Sequence, residues 1–210
     1  MSVSLTELSS KAFSEALASK ASVPGGGGAA ALMGSLAAAL GTMATNLTIG
    51  KKKYLSWGED HKRIIAETDE LRQRFLSLIE EDAEAFEPLV RAYSMDKNAP
   101  DYTEVMTTAT LRAAETPLRM MQASGELIVL LEELREKCSL PLLSDVGCAA
   151  VAAKAALECA SLNVFVNTRL LPGNESAEEM AERATAMLRE YAPRAETVAD
   201  SVMSFLRDVT

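Results

Sequence analysis

VPGGGGAAALMGSLAAAL, residues 23–40, is the stretch that decides the fold. Four consecutive glycines lead into a segment of small and apolar residues, and no charged residue follows them before Lys51. The uncharged segment is long enough to cross a membrane. It is only weakly hydrophobic, however, because Ala, Gly, Ser and Thr dominate it and Asn46 lies within it. We therefore predict a helix that is buried on all sides within the protein, and we expect no membrane association.

The composition indicates one globular domain rich in helix. A chain of 210 residues can bury a sizeable core, and 48% of its residues are hydrophobic. Only 5% are aromatic, and a core rich in Ala and poor in rings favours helices that pack at short distances. The formal net charge of -9 argues against a general nucleic-acid-binding protein. We predict a single domain over residues 1–210 and no nucleic-acid partner.

The cysteines and the N-terminal stretch indicate a cytoplasmic protein. Cys138, Cys148 and Cys159 form no C-x-x-C pair and are odd in number, so we predict three buried free thiols in a reducing compartment. The first residues, MSVSLTELSSKAFSEAL, lack the basic start and the apolar run of a secretory signal peptide.

Helical periodicity extends over almost the whole chain. Breaks at Pro, Gly and Asn divide it into six predicted helices, at residues 6–20, 25–48, 58–94, 102–137, 144–167 and 175–207. Pro117 and Pro193 predict a kink or an interruption in the fourth and sixth helices. Long helices with short connections predict an all-α bundle.

Small residues recur three or four positions apart in the second and fifth predicted helices. They are Gly34, Ala38, Gly41 and Thr45 in one helix, and Ala149, Ala152, Ala156 and Ala160 in the other. Small side chains let helix axes approach closely, so we expect both helices at the centre of the bundle or at a subunit interface. A long helical surface of this kind often pairs with a copy of itself, and a homodimer is the expected assembly.

Asp82 stands where the third predicted helix should present an apolar residue. It follows Leu78 by four positions and precedes Phe86 by four, and both belong to the apolar stripe of that helix. A carboxylate on the inward face is costly unless it is paired, and burial raises its pKa. Two interpretations stay open: a structural Asp satisfied by a neighbouring helix, and an acid or base of a functional site.

The fifth predicted helix carries three polar residues on the same face as its alanines. Asp145 is at the start of the helix, where either it or Ser144 could cap the first turn. Asn163 and Asn167 lie near the end, and inward amides need partners from the backbone or from a ligand. His61, the only histidine, follows two acidic residues without a ligand-spaced companion, so we expect it to be solvated and predict no metal site.

The glycine run and the lysine run are the remaining candidate binding elements. The glycines match the dinucleotide pattern G-x-G-x-x-A. The dinucleotide-binding fold requires a strand before this pattern, and none precedes it here. They form either a tight turn between helices or a helix start whose free N–H groups bind an anion or a carbonyl. The lysines either bind a carboxylate tail or complement a helix C-terminus.

Together these segments resemble a known family. The stretches PGGGGAAALMGSLAAALGTMATNLTIGKKKY, EDAEAF and SDVGCAAVAAKAALECASLNVFVN are similar, in this order, to those of the cyclodeaminase/cyclohydrolase family of folate enzymes. This family comprises the cyclodeaminase domain of formiminotransferase-cyclodeaminase and stand-alone bacterial methenyltetrahydrofolate cyclohydrolases. The resemblance implies an all-helical homodimer that binds tetrahydrofolate derivatives, with no metal and no cofactor beyond that substrate.

Two positions depart from the family pattern. The glycine run usually ends in Ser, and this chain has Gly28 there, which removes a hydroxyl that could contact the ligand. Gly-Asn often precedes the Ser-Asp pair, whereas this chain has Pro141, Leu142 and Leu143. We therefore expect a different loop geometry near Asp145.

The resemblance also implies roles for the candidate residues. Asp82 and Asp145 are the predicted catalytic acid and base. The glycines are expected to form the wall of the folate pocket, and the lysines to bind the glutamate tail. The two Asn side chains are expected to orient the ligand. The predicted substrate-binding residues are Gly25, Gly26, Gly27, Gly28, Lys51, Lys52, Lys53, Asn163 and Asn167.

Three functions follow as hypotheses. The first is a 5,10-methenyltetrahydrofolate cyclohydrolase, which interconverts the methenyl and 10-formyl forms; it is preferred because no transferase segment is attached. The second is a formiminotetrahydrofolate cyclodeaminase, which releases ammonia and gives the methenyl form. The third, from a different class, is a non-catalytic helical interaction protein.

Overall fold

Six α-helices and no strand are present in the computed structural model, which describes residues 4–208. The helices are α1 (Ser10–Leu17), α2 (Gly26–Asn46), α3 (Gly58–Tyr93), α4 (Tyr102–Lys137), α5 (Leu143–Thr168) and α6 (Glu175–Arg207). Short 3₁₀ turns precede α1, α3 and α5, at Leu5–Glu7, Lys52–Trp57 and Leu140–Leu142. The predicted all-α bundle is confirmed, and the bounds of the five long helices agree closely with the prediction.

The first helix is shorter than the predicted span of residues 6–20. Its start is fixed by Ser9, whose hydroxyl accepts a hydrogen bond from the Ala12 N–H at 3.1 Å. Ahead of it, Glu80 of α3 accepts hydrogen bonds from the Ser4 hydroxyl at 2.5 Å and from the Thr6 N–H at 2.9 Å. These contacts hold the N-terminal segment against α3 and keep it out of the helix.

Helices α2 and α5 form the centre of the bundle and run antiparallel. Gly26, at the start of α2, lies against Asn163 near the end of α5. At the other end, the Thr48 hydroxyl accepts a hydrogen bond from the Ser139 N–H, just before α5 begins. Both helices also pack on α4, while α3 covers α2 and α6 covers α5. The central position predicted from the small residues is confirmed.

One face of α2 and one face of α5 remain exposed and apolar, so the prediction of a second helix buried on all sides was wrong. The exposed side chains are Leu36 and Met43 on α2 with Leu47 directly after it, and Val151, Leu162 and Val166 on α5. Leu162 is 67% exposed and Leu36 is 56% exposed. By length and composition alone, Gly26–Asn46 and Leu140–Thr168 could cross a membrane, a criterion that core helices of soluble proteins also meet.

His61 is fully buried, and the expectation of a solvated side chain was wrong. Its Nε2 atom lies 2.9 Å from the carbonyl oxygen of Lys137, the last residue of α4. His61 precedes the buried Ile64 by three positions and therefore shares the inward face of α3. The imidazole thus closes the end of α4, where helix carbonyls lack partners within the helix.

The expectation of three buried thiols holds only in part. Cys138 is buried, Cys159 is half-buried and Cys148 is exposed, because the last two lie towards the open face of α5.

Neither Ser144 nor Asp145 caps α5, since the helix begins at Leu143 and continues from a 3₁₀ turn. The prolines predicted to interrupt the fourth and sixth helices lie within continuous α-helices.

Gly34 provides a test of the packing between α2 and α3. A Cβ atom at this position would lie 2.4 Å from Cε1 of the buried Phe75 ring. Gly34→Ala should therefore lower the free energy of unfolding by about 1–3 kcal/mol, because the added methyl group overpacks the core. Gly58→Ala is the matched control, because a Cβ there meets no atom within 4 Å. Urea unfolding measures both, and equal stabilities of the two variants would contradict this packing.

Candidate active site

Asp82 of α3 lies directly on the glycine turn that begins α2. A Cβ atom built on Gly27 would lie 2.4 Å from Asp82 Oδ1 and 2.5 Å from Oδ2. Carbon and oxygen atoms do not approach so closely without overlap, so only glycine fits at position 27 while the carboxyl group keeps this place. The glycine run is thus both a helix start and the surface on which the Asp82 side chain rests.

The surroundings of Asp82 tune its acidity. Burial raises the pKa of its carboxyl group to about 6, and a hydrogen bond from the backbone N–H of Gly28 opposes this shift. No cation within residues 4–208 forms an ion pair with Asp82 to stabilise the charged form. A carboxyl group with this pKa populates both protonation states near neutral pH, which suits a group that takes up and releases a proton in one reaction.

Asn163 of α5 faces the same turn from the other side. A Cβ atom on Gly26 would lie 3.1 Å from both its Nδ2 and Oδ1 atoms. The Nδ2 atom donates to the Cys159 carbonyl at 2.8 Å, and Oδ1 has no hydrogen-bond partner among residues 4–208. Asn163 therefore keeps an acceptor available beside the exposed backbone of Gly26.

Asn167, one turn further along α5, is buried. Its Nδ2 atom donates to the Ala113 carbonyl of α4 at 3.2 Å and to the Asn163 carbonyl at 2.9 Å. A ligand oriented by Asn167, as predicted, would have to compete with these two carbonyls for the hydrogens of Nδ2.

The other two glycines of the run tolerate different changes. Gly25 is the N-cap residue of α2, and a Cβ there would come no closer than 3.9 Å to another atom, the Ser22 carbonyl oxygen. Gly28 is buried, and a Cβ there would lie 3.2 Å from the Cβ of Pro24. A serine at position 28 would therefore require Pro24 to move by a few tenths of an ångström, so the glycine fits the close packing in this chain.

The lysine run lies at the opposite end of α2, about 30 Å from the glycine turn at 1.5 Å per residue. Lys51 donates to the Ser139 hydroxyl at 2.9 Å. Lys52 and Lys53 are exposed. A cavity of about 360 Å³ opens beside them, with Lys53, Trp57 and Arg135 in its lining.

Asp145 belongs to this lysine end. It lies in the first turn of α5, 18 positions before Asn163, which is about 27 Å along the helix. Its charge and that of Lys51 both act on the Cys138 thiol, whose pKa is raised mainly by burial. The single chain therefore brings together Asp82, Asn163 and the glycines, and separately Asp145 and the lysines.

No pattern in the sequence predicted the cavity that lies beside the glycine turn. It measures about 320 Å³ and is bordered by Leu5, Val23, Phe86 and Val90, with Glu80 at its edge. The N-terminal segment forms one wall because Glu80 holds Ser4 and Thr6. Contacts that join residues more than 70 positions apart leave no periodic pattern by which to find them.

The fold and the site define an all-helical protein with a half-buried carboxyl group of raised pKa on a glycine-rich helix start. A family model described as formiminotransferase-cyclodeaminase matches residues 9–186. The chain belongs to this family.

Individual relatives agree with this assignment. The chain is 38% identical over 200 residues to a methenyltetrahydrofolate cyclohydrolase of Methylorubrum extorquens, covering 91% of this chain and 94% of that protein. It is 28% identical to the formimidoyltransferase-cyclodeaminase of Rattus norvegicus, covering 95% of this chain and 38% of that longer protein. A crystal structure of formiminotetrahydrofolate cyclodeaminase from Thermotoga maritima superposes with a TM-score of 0.82 at 26% identity, covering 94% and 98% of the two chains.

The raised pKa of Asp82 predicts how stability depends on pH. Because the folded pKa of about 6 exceeds the unfolded value of about 4, the native state binds more protons between these values, and the stability contributed by Asp82 is lost as pH rises through 6. The free energy of unfolding of Asp82→Asn should therefore exceed that of the wild type by about 2–3 kcal/mol at pH 8, and this difference should shrink towards pH 4. Urea unfolding at both pH values measures it, with Glu81→Gln as control. A variant less stable than the wild type at pH 8 would contradict the assignment.

Proposed function

We propose that this protein is a 5,10-methenyltetrahydrofolate cyclohydrolase, which adds water to the methenyl bridge and gives the 10-formyl form. The observation that carries the proposal is the half-buried Asp82 carboxyl group, with a pKa of about 6, on the backbone of the glycine turn. Similarity to a named cyclohydrolase over nearly the full length of both chains supports the choice of substrate.

The chemistry follows from the position of Asp82. The ionised carboxylate takes a proton from a water molecule as the water oxygen attacks the electrophilic methenyl carbon between two nitrogens. The protonated carboxyl group then gives this proton to the nitrogen that departs when the carbon–nitrogen bond breaks. The hydroxyl group left on the carbon loses its own proton to solvent as it becomes the formyl carbonyl. The anionic form also stabilises the cationic methenyl group before the attack. Carboxyl group, water and substrate are sufficient for these steps, and no further cofactor is part of the proposal.

The glycine turn and Asn163 bind the reacting end of the substrate. Gly26 is exposed, and a backbone without side chains lets a flat pterin ring lie close to the helix start. The free Oδ1 of Asn163 accepts a hydrogen bond from a ring N–H group. These contacts place the methenyl carbon beside Asp82.

A dimer joins the two separated groups of candidate residues. The exposed apolar faces of α2 and α5 form one surface that extends from the glycine turn to the lysine end. A two-fold axis across this surface pairs each protomer with an antiparallel copy and brings the lysine end of one chain to the glycine turn of the other. Burial of side chains such as Leu36 and Leu162 stabilises the pair.

In this dimer the lysines act on the partner's substrate. Lys51, Lys52 and Lys53 attract the carboxylates of the glutamate tail, and Asp145 approaches the second active site rather than its own. The distance of about 27 Å along α5 supports this arrangement, because it exceeds the reach of any side chain within one protomer.

The cyclodeaminase reaction is the second candidate, and the fold similarity to the enzyme from Thermotoga maritima favours it. It uses the same carbon, and Asp82 in its acid form would protonate the amino group that leaves this carbon as ammonia. Purified protein with each substrate separates the two. Loss of methenyl absorbance indicates hydrolysis, and ammonia release from the formimino compound indicates deamination. No turnover and no folate binding would indicate a non-catalytic interaction protein.

Removal of the acid–base group tests the proposed mechanism. Asp82→Asn should lower kcat at least about 100-fold, because the amide neither takes up nor releases the proton. Glu81→Gln changes the neighbouring carboxylate, which pairs with Arg119 instead of facing the turn, and should keep near-normal turnover. A folded Asp82→Asn variant with more than half of the wild-type kcat would overturn the assignment.

Heterodimers test whether the lysines act across the interface. One subunit carries Asp82→Asn and the other carries alanine at all three lysines; different affinity tags allow isolation of the mixed dimer. If sites are shared, one of the two sites is intact, and activity at low substrate should reach about half of the wild type. If each protomer holds a complete site, both sites are defective and no activity returns. A monomer by light scattering would also contradict the proposal.

A further inference from the structure

Pro117 leaves a buried backbone carbonyl of α4 without its usual donor. In an α-helix each N–H bonds to the carbonyl four positions earlier, and proline has no N–H. The Ala113 carbonyl therefore lacks its partner within the helix. Ala113 and Pro117 are both buried, so water cannot replace the missing donor, and an unpaired carbonyl there would be costly.

The missing donor comes from another helix. Asn167 of α5 directs its Nδ2 atom to the Ala113 carbonyl oxygen at 3.2 Å. The same nitrogen lies 2.9 Å from the Asn163 carbonyl oxygen. A side-chain amide has two hydrogens on this nitrogen, and two carbonyls accept them.

Pro117 is distinct among the prolines inside helices of the described residues. Pro88 is half-buried and Pro193 is exposed, whereas Pro117 is buried. Within residues 4–208, Pro117 is also the one whose freed carbonyl accepts a hydrogen bond from a side chain of a different helix. A regular helical hydrogen bond stays within one helix, but a carbonyl freed by proline can join two helices.

We propose that Pro117 and Asn167 act as one unit that positions Asn163 on the glycine turn. Asn167 ties the last turns of α5 to α4 and bonds to the backbone of Asn163 itself. The Asn163 side chain then meets Gly26, on the turn where Asp82 lies. Asn167 is a positioning residue in this account and does not touch the ligand. The activity readout of its test rests on the proposed function.

A double-mutant cycle in the full-length chain tests the unit. Asn167→Leu leaves the Ala113 carbonyl unpaired and should lower the folding equilibrium constant about tenfold or more. Pro117→Ala restores a backbone N–H that pairs with this carbonyl, so the same Asn167→Leu change should then cost less than about threefold. Pro193→Ala is the matched control, since it also restores an N–H inside a helix but should leave the effect of Asn167→Leu unchanged. Absence of coupling between positions 117 and 167 would overturn the bridge.

The double variant separates positioning from stability alone. With the carbonyl paired again but α5 no longer tied to α4, the side-chain amide signal of Asn163 in the ¹⁵N NMR spectrum should still shift or broaden, and kcat should stay at least about fivefold below that of Pro117→Ala. A double variant that regains the Pro117→Ala kcat and the Asn163 signal together with stability would show that Asn167 only fills the gap in α4. If neither folate substrate is turned over by the wild type, the Asn163 signal still decides this inference, and only the proposed function fails.

Discussion

The contact between the Asp82 carboxyl group and the backbone of Gly27 is the constraint on which the rest of the site depends. Both carboxyl oxygens occupy the space that a side chain at position 27 would fill. This contact shields the carboxyl group partly from water, and the burial raises its pKa, while the hydrogen bond from the Gly28 N–H favours the ionised form. The long α3 helix makes the contact possible, because its buried stripe fixes the rotation that points residue 82 at the start of α2.

The antiparallel arrangement of α2 and α5 separates the candidate residues into two groups. The beginning of α2 meets the end of α5 near Asp82, and the lysine run meets Asp145 at the other end. The helices are too long for one chain to unite the groups, and the proposed dimer would do so through their exposed apolar faces. In the proposed dimer, acid–base chemistry and tail binding belong to different ends of one surface.

Periodicity and helix breaks were sufficient to predict the long helices and the inward position of Asp82. The buried side of α2 followed from its small residues, but its open side did not, because exposed and buried apolar residues look alike in a sequence. The prediction of a solvated His61 was wrong for a related reason. Its hydrogen-bond partner is a backbone carbonyl 76 positions away, at the end of another helix. The same holds for Asn167, whose acceptor exists only because Pro117 lacks an N–H.

Direct titration of the Asp82 carboxyl group tests the central claim most closely. Carboxyl carbon NMR of the ¹³C-labelled protein, with Asp82→Asn to assign the signal, gives the pKa in the folded state. The account predicts a midpoint near 6, because burial on the glycine turn disfavours the charge. A midpoint at or below about 4, the ordinary value for an aspartate, would show that the carboxyl group is solvated and would contradict the account.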